Sequence, residues 1–182
     1  MNNLGIIVDD QILSIDCTLA GEPERVWPYL TRQEGLSTWL ADGAIEPRLE
    51  GSVRLRFPMG AALVRSENGG LIYGQVDRCE PYRLLSFSWM DTSRDVQKPH
   101  FGASVTHVTF ALTQCDQQTV LKLTHTGVSA KLLSKIGAGW HAHLRRLINR
   151  AQADASAYSA YPQLAASHEQ RASMLQIDAR HR

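Results

Sequence analysis

One of the seven histidines in this 182-residue chain stands out by its position. His125 alternates with Leu121 and Leu123, which places all three side chains on the same face of a predicted strand. An imidazole on an apolar face can orient the oxygen of a ligand, or act as a general base near neutral pH. A histidine that is hydrogen-bonded within the core fits the same pattern, so both interpretations stay open.

Two further histidines, His141 and His143, are separated by one residue in a predicted helix. Helix positions two apart point about 200° away from each other, so this pair cannot bind one metal ion. The widely spaced Cys17, Cys79 and Cys115 contain no CxxC pair and predict neither a zinc site nor disulfide bonds. We therefore predict no metal and no cofactor.

Sequence motifs assign no catalytic residue. GxSxG, GxxxxGK[ST] and HExxH are all absent from the sequence. The polar stretch from Asp91 to His100 predicts a loop that could cover a cavity, with Asp95, Lys98 and His100 as candidates for a polar gate. An ordinary surface loop explains the same composition.

A single long helix is predicted to carry His141 and His143. Between Gly139 and Ala151 the apolar residues recur at helical spacing and form one stripe. The stripe consists of Trp140, Leu144, Leu147, Ile148 and Ala151. Such a stripe must pack against another part of the chain.

Alternating apolar and polar residues predict the sheet that receives this helix. A first strand covers Ile12 to Leu19, a helix opens at Pro23, and a second short helix covers Leu36 to Leu40. About six antiparallel strands follow before the closing helix. Strands flanked by separate helices define an α+β fold.

The space between sheet and closing helix must be filled by side chains or occupied by a ligand. Aromatic residues on the inward faces can do either. The candidate ligand-binding residues are Trp39, Phe57, Phe87, Trp89, His125, Trp140 and Leu144. By contrast, Arg54, Arg56 and His107 alternate out of phase with the apolar positions and are expected on the outer face.

Composition excludes several other classes. The net charge of +1 gives no reason to expect a nucleic-acid partner, and no apolar run approaches the roughly 18 residues of a membrane span. The N-terminus does not resemble a secretion signal, which favours the cytoplasm. We expect a loose leader over residues 1–11, one domain over 12–152, and an appendage rich in Ala, Ser and Gln over 153–182. The appendage is partly helical or disordered, and it is a candidate contact for a homodimer.

Five segments follow one another along the chain, namely EPERVWPYLTRQEGLSTWL, LEGSVRLRF, GQVDRCEPYRLLSFSW, TVLKLTHTGV and GWHAHLRRL. In this order they resemble the START-like (SRPBCC) superfamily, in particular the branch named for the activator of heat-shock-protein-90 ATPase. The resemblance covers roughly residues 12 to 152. It implies a helix-grip (Bet v 1-like) fold, in which a curved antiparallel sheet wraps around a long C-terminal helix and leaves a hydrophobic cavity between the two.

Three hypotheses for function follow. The first is non-catalytic binding of a small hydrophobic or aromatic molecule in that cavity. The second is an enzyme similar to polyketide cyclases or dehydratases, with His125 as acid/base. The third is a cochaperone-like protein-interaction module, by analogy with the branch's namesake. The absence of a catalytic motif favours the first.

Overall fold

The computed structural model describes residues 5–9, 11–58, 70–91 and 105–160. These residues form eight strands and three helices. In chain order they are β1 (Gly5–Asp9), β2 (Ile12–Ala20), α1 (Pro23–Thr31), α2 (Gln33–Leu36), β3 (Asp42–Ile45), β4 (Ser52–Phe57), β5 (Gly70–Glu80), β6 (Leu84–Asp91), β7 (Thr106–Cys115), β8 (Gln118–Thr126) and α3 (Ala130–Ala160).

All eight strands join one antiparallel sheet in the order β1-β2-β8-β7-β6-β5-β4-β3. The sheet curls around α3, and α1 and α2 connect its two halves. The predicted α+β helix-grip fold is confirmed. No helix in the described part of the chain is long and apolar enough to cross a membrane.

The core forms where the inward faces of the central strands meet α3. Register pairs Val108 with His125 and Phe110 with Leu123 across β7 and β8, and these four side chains are fully buried. Trp140 of α3 is also fully buried. The inward-facing side chains of the strands and the apolar stripe of α3 therefore face one another, as the sequence pattern predicts.

The closing helix is longer than predicted. It begins at Ala130 rather than Gly139 and extends to Ala160, so that it includes the first eight residues of the predicted appendage. A Cβ added at Gly137 would lie 3.3 Å from Leu13 of β2. The glycine therefore lets the helix approach the sheet closely, and it does not end the helix.

Two other elements also differ from prediction. Residues 5–9 of the predicted leader form β1, which pairs with β2 from Gly5 opposite Asp16 to Asp9 opposite Ile12. The second short helix is Gln33–Leu36, followed by turns as far as Leu40. At Gly35 a Cβ would lie 2.2 Å from the Pro28 carbonyl oxygen, because α2 packs directly on the backbone of α1. The loop candidates Asp95, Lys98 and His100, and residues 161–182, lie outside the described residues.

Candidate functional site

The seven predicted ligand-binding residues all lie in the interior, each at most 1% exposed. Several pack ring against ring. Ring centroids are 5.5 Å apart for Trp89 and Trp140, and 5.7 Å apart for Phe57 and Trp89. Leu144 is fully buried on α3. Around Trp89 and Trp140, aromatic side chains thus occupy the space between sheet and helix.

His125 lies at the centre of this packing with both ring nitrogens hydrogen-bonded. Trp140 donates its indole N–H to Nδ1 at 3.0 Å, and Nε2 lies 2.8 Å from the Thr106 hydroxyl. Because the indole nitrogen can only donate, Nδ1 accepts and Nε2 carries the proton. The Thr106 hydroxyl then donates to the Trp89 carbonyl at 3.2 Å. Each hydrogen bond in this series, from Trp140 through His125 and Thr106 to Trp89, therefore joins a donor to an acceptor.

The charged form of His125 is strongly disfavoured. Burial and, to a smaller extent, the nearby charge of His107 lower the pKa of His125 to about 3. A histidine that is neutral at physiological pH, with both nitrogens already bonded, has little capacity to exchange a proton with a ligand. The geometry matches the core-histidine interpretation.

A groove opens at one end of the sheet, where β3, β4 and β5 meet α3. Its volume is about 720 Å³. Trp39 and Phe57, two of the seven predicted residues, line it. The other lining residues are Ser37, Thr38, Leu40, Ala41, Asp42, Arg56, Pro58, Gly70, Leu71 and Arg146.

Short elements at the ends of strands position the groove. Turns after α2 carry Trp39, whose indole N–H donates to the Tyr29 carbonyl of α1 at 2.8 Å. Phe57 is the last residue of β4 and pairs with Gly70, the first residue of β5. One side of the groove is therefore tied to α1 by a hydrogen bond, and the other to the pairing of β4 with β5.

Charged side chains surround an apolar floor. Arg56 and Arg146 are exposed, and neither forms an ion pair with any residue that the structure describes. Asp42 accepts a hydrogen bond from the Gln33 amide at 3.2 Å. Arg56 is exposed as predicted, and it also belongs to this rim.

His143 lies just behind the groove. It is 1% exposed, and its Nδ1 lies 2.6 Å from the Trp39 carbonyl oxygen. Its ring packs edge-on against Phe57, with centroids 6.0 Å apart. Burial lowers the pKa of His143, the hydrogen bond to Trp39 raises it, and the charge of Arg146 lowers it. The two neighbouring histidines of α3 thus differ in burial, because His143 is buried and His141 is only partly buried.

The remaining polar candidates lie elsewhere. His107 is half exposed on the outer face and contacts Asp77 at 2.9 Å, as its strand phase predicts. Arg54 is exposed on β4. No group of three His, Cys, Asp or Glu side chains within the described ranges could hold a metal ion.

The sequence interpretation missed most of the groove. Its walls come from segments around residues 37–42, 56–58, 70–71 and 146, which are far apart in the chain. The available signal was the run of Trp39, Leu40 and Ala41 immediately before Asp42 and Gly43, an apolar cluster at the end of a helix pair.

An α+β helix-grip protein with a groove at one end of its sheet is the class that this geometry defines. Residues 20–151 match the family model described as "Activator of Hsp90 ATPase homolog 1-like protein", and the chain belongs to this family. The predicted resemblance is confirmed. No curated protein matches the chain.

Solved structures share the fold at low sequence identity. A Bordetella parapertussis protein is 27% identical, with a TM-score of 0.58 over 79% of this chain and 76% of its own. DynU16, from the dynemicin biosynthetic locus, is 19% identical with a TM-score of 0.60, over 78% of this chain. This chain spans 47% of DynU16, about half its length. The Aha1 dimer from Colwellia psychrerythraea is 17% identical, with a TM-score of 0.54 over 77% of this chain and 95% of that one.

Proposed function

We propose that this protein binds a small hydrophobic or aromatic molecule, without catalysis, between the sheet and the C-terminal helix. The groove bounded by Trp39 and Phe57 is the observation that carries the proposal. Its volume of about 720 Å³ lies within the range of ordinary ligand pockets, roughly 300–1,000 Å³. Two aromatic side chains on an otherwise mostly apolar floor suit a flat ligand.

The expected affinity is moderate. A ligand that buries about 200–300 Å² of apolar surface gains on the order of 5–8 kcal/mol before ordering costs, at ~25 cal/mol per Å². A dissociation constant on the order of 10–100 µM is then reachable without any ionic contact. The rim arginines Arg56 and Arg146 leave room for an anionic substituent at the solvent end.

The test is to fill the groove. Thr38 is exposed and lines it, so Thr38→Trp places an indole in the space that the ligand needs. Thr113 on the outer face of β7 is also exposed, and Thr113→Trp is the matched control. Equilibrium dialysis with 2-naphthol should show at least about tenfold weaker binding to Thr38→Trp. The control should bind as the wild type does.

Equal binding by the two variants would place the probe elsewhere and contradict the proposal. Native mass spectrometry of the purified wild type gives a second measurement. A co-purified small molecule that Thr38→Trp loses and Thr113→Trp keeps would identify the natural ligand.

Acid/base catalysis by His125 finds less support, since Trp140 and Thr106 already bond both of its nitrogens. For the cochaperone-like alternative, no observation in the described residues favours a partner surface. The binding proposal therefore stands first.

Assembly and location complete the proposal. The dimeric state of the Colwellia psychrerythraea protein supports testing this chain as a homodimer. Comparing the solution mass of the full chain with that of a chain ending at Ala160 tests whether the tail contributes. The free cysteines Cys17, Cys79 and Cys115 fit a reducing compartment such as the cytoplasm.

A further inference from the structure

His143 has one ring nitrogen whose bonding capacity is not used. Its Nε2 is buried and has no hydrogen-bond partner among the residues that the structure describes. Buried polar atoms are rarely left in this state, because an unsatisfied acceptor costs about 1–3 kcal/mol of desolvation. An open buried acceptor therefore calls for a partner.

Two contacts and one electrostatic effect place this histidine immediately beneath the wall of the groove. Its Nδ1 bonds the carbonyl of Trp39, its ring meets the ring of Phe57 edge-on, and the charge of Arg146 acts on it. Trp39, Phe57 and Arg146 all line the groove. His143 itself does not line the groove, so a group that comes from the groove reaches the imidazole only past these two aromatic side chains.

The hydrogen bond to Trp39 fixes the chemistry of the open nitrogen. A carbonyl oxygen can only accept, so Nδ1 carries the proton and donates. In the neutral ring Nε2 then has a lone pair and accepts. Burial, which lowers the pKa of His143, keeps the ring neutral at physiological pH.

We propose that Nε2 of His143 accepts a hydrogen bond from the hydroxyl or N–H group of the ligand, and so selects small aromatic molecules that carry a donor. This inference rests on the proposed binding function and names its specificity-determining residue. Trp39 and Phe57 contact the ring of such a ligand, and Nε2 of His143 accepts the hydrogen bond from its donor group. A phenol-like compound is the simplest molecule of this class.

His125 shows why the open nitrogen is informative. It lies in the same core and is equally buried, yet both of its nitrogens have partners. Within this core, a histidine away from the groove thus has its hydrogen bonds completed by protein groups. A water molecule is the other group that could donate a hydrogen bond to Nε2 of His143, and a pair of matched probes separates the two cases.

The test compares two probes that differ in the donor and in one methyl group, and the variants carry the correction for the methyl group because it is the same for all of them. 2-Naphthol and 2-methoxynaphthalene share one ring system, and only 2-naphthol can donate. Equilibrium dialysis measures the ratio of their dissociation constants for the wild type, His143→Leu and the matched control His141→Leu. We expect the wild type and the control to favour 2-naphthol by about tenfold relative to His143→Leu, the effect of one buried hydrogen bond.

A second measurement needs no variant. In the wild type labelled with ¹⁵N at histidine, the Nε2 resonance of His143 should shift on saturation with 2-naphthol and stay in place with 2-methoxynaphthalene. It reports the hydrogen bond directly even if His143→Leu does not fold.

The outcomes separate the two proposals. Failure of both probes to bind the wild type would overturn the binding function and this inference with it. Binding with the same probe ratio in the wild type and His143→Leu would overturn the inference alone, as would an Nε2 resonance that ignores 2-naphthol. In that case a water molecule or the core itself satisfies His143.

Discussion

Two buried histidines among the described residues, His125 and His143, show how differently one side chain is used in two regions of the same core. His125 lies under the centre of the sheet, where Trp140 and Thr106 bond its two nitrogens. His143 lies at the groove end, where Trp39 bonds one nitrogen and the other has no partner among the described residues. Both are at most 1% exposed, so burial does not distinguish them.

Hydrogen-bonding capacity, and not burial, therefore separates a structural histidine from a candidate ligand-binding histidine. A histidine whose donor and acceptor are both matched contributes stability and fixes the packing of its neighbours. A histidine with an open acceptor beside a groove carries a cost that a ligand can remove. The following experiments test that distinction.

Replacing His125 should have the largest effect. His125→Leu removes two hydrogen bonds and leaves the indole N–H of Trp140 buried without its acceptor. We expect the free energy of unfolding to fall by about 2–4 kcal/mol, because each orphaned buried group costs about 1–3 kcal/mol. His143→Leu removes one hydrogen bond and should cost only about 1–2 kcal/mol. Urea denaturation of both variants measures the difference, and equal losses would break the comparison.

Acid should destabilise the protein through the same residue. Burial lowers the folded-state pKa of His125 to about 3, whereas an unfolded histidine titrates near 6.5. Between these values the unfolded state binds more protons, so stability falls as the pH drops through that window and is unaffected well above it. The slope approaches about 1.4 kcal/mol per pH unit for one histidine. Urea titrations at pH 7, 6 and 5 should show a shallower loss for His125→Leu. An equal loss of unfolding free energy with pH in the wild type and in His125→Leu would contradict a lowered pKa at His125.

A double-mutant cycle isolates the bond between His125 and Trp140. Trp140→Phe removes the N–H that His125→Leu would orphan, so the two changes should not add. We expect a coupling energy of about 1 kcal/mol, from the free energies of unfolding of the four proteins. Additivity within about 0.3 kcal/mol would mean that the hydrogen bond contributes little to stability.

Much of the fold could be predicted because its signals are local and periodic. The alternation that ends in His125 and the stripe that starts at Trp140 depend only on sequence spacing. The predicted start of α3 at Gly139 is too late, because a glycine such as Gly137 disfavours a helix on sequence propensity alone. In the fold it serves close packing against Leu13.

The site was harder to predict because its features depend on distant segments. Residue type and position on the inward faces predict Trp39 and Phe57 as ligand contacts, and only the tertiary structure brings them together with Arg146 in one groove. For His143, helical spacing predicts only that it cannot share one metal ion with His141. Its buried state and its bond to a backbone carbonyl 104 positions away depend on helix packing that no local pattern contains.

The smallest expected effect tests whether His143 senses the groove. Arg146 lines the groove and its charge lowers the pKa of His143, so Arg146→Met should raise that pKa. Burial is the larger cause and remains, so the value should stay below the ordinary 6.5. Arg145→Met removes an equally exposed neighbouring charge that does not act on His143, and should leave the pKa unchanged. Histidine ¹H–¹⁵N spectra recorded from pH 7 to pH 4 follow both rings at once. A higher pKa at His143, with His125 neutral over the whole range in every protein, would show that a charge bound at the groove mouth can reach the proposed acceptor. An unchanged pKa at His143 would contradict this.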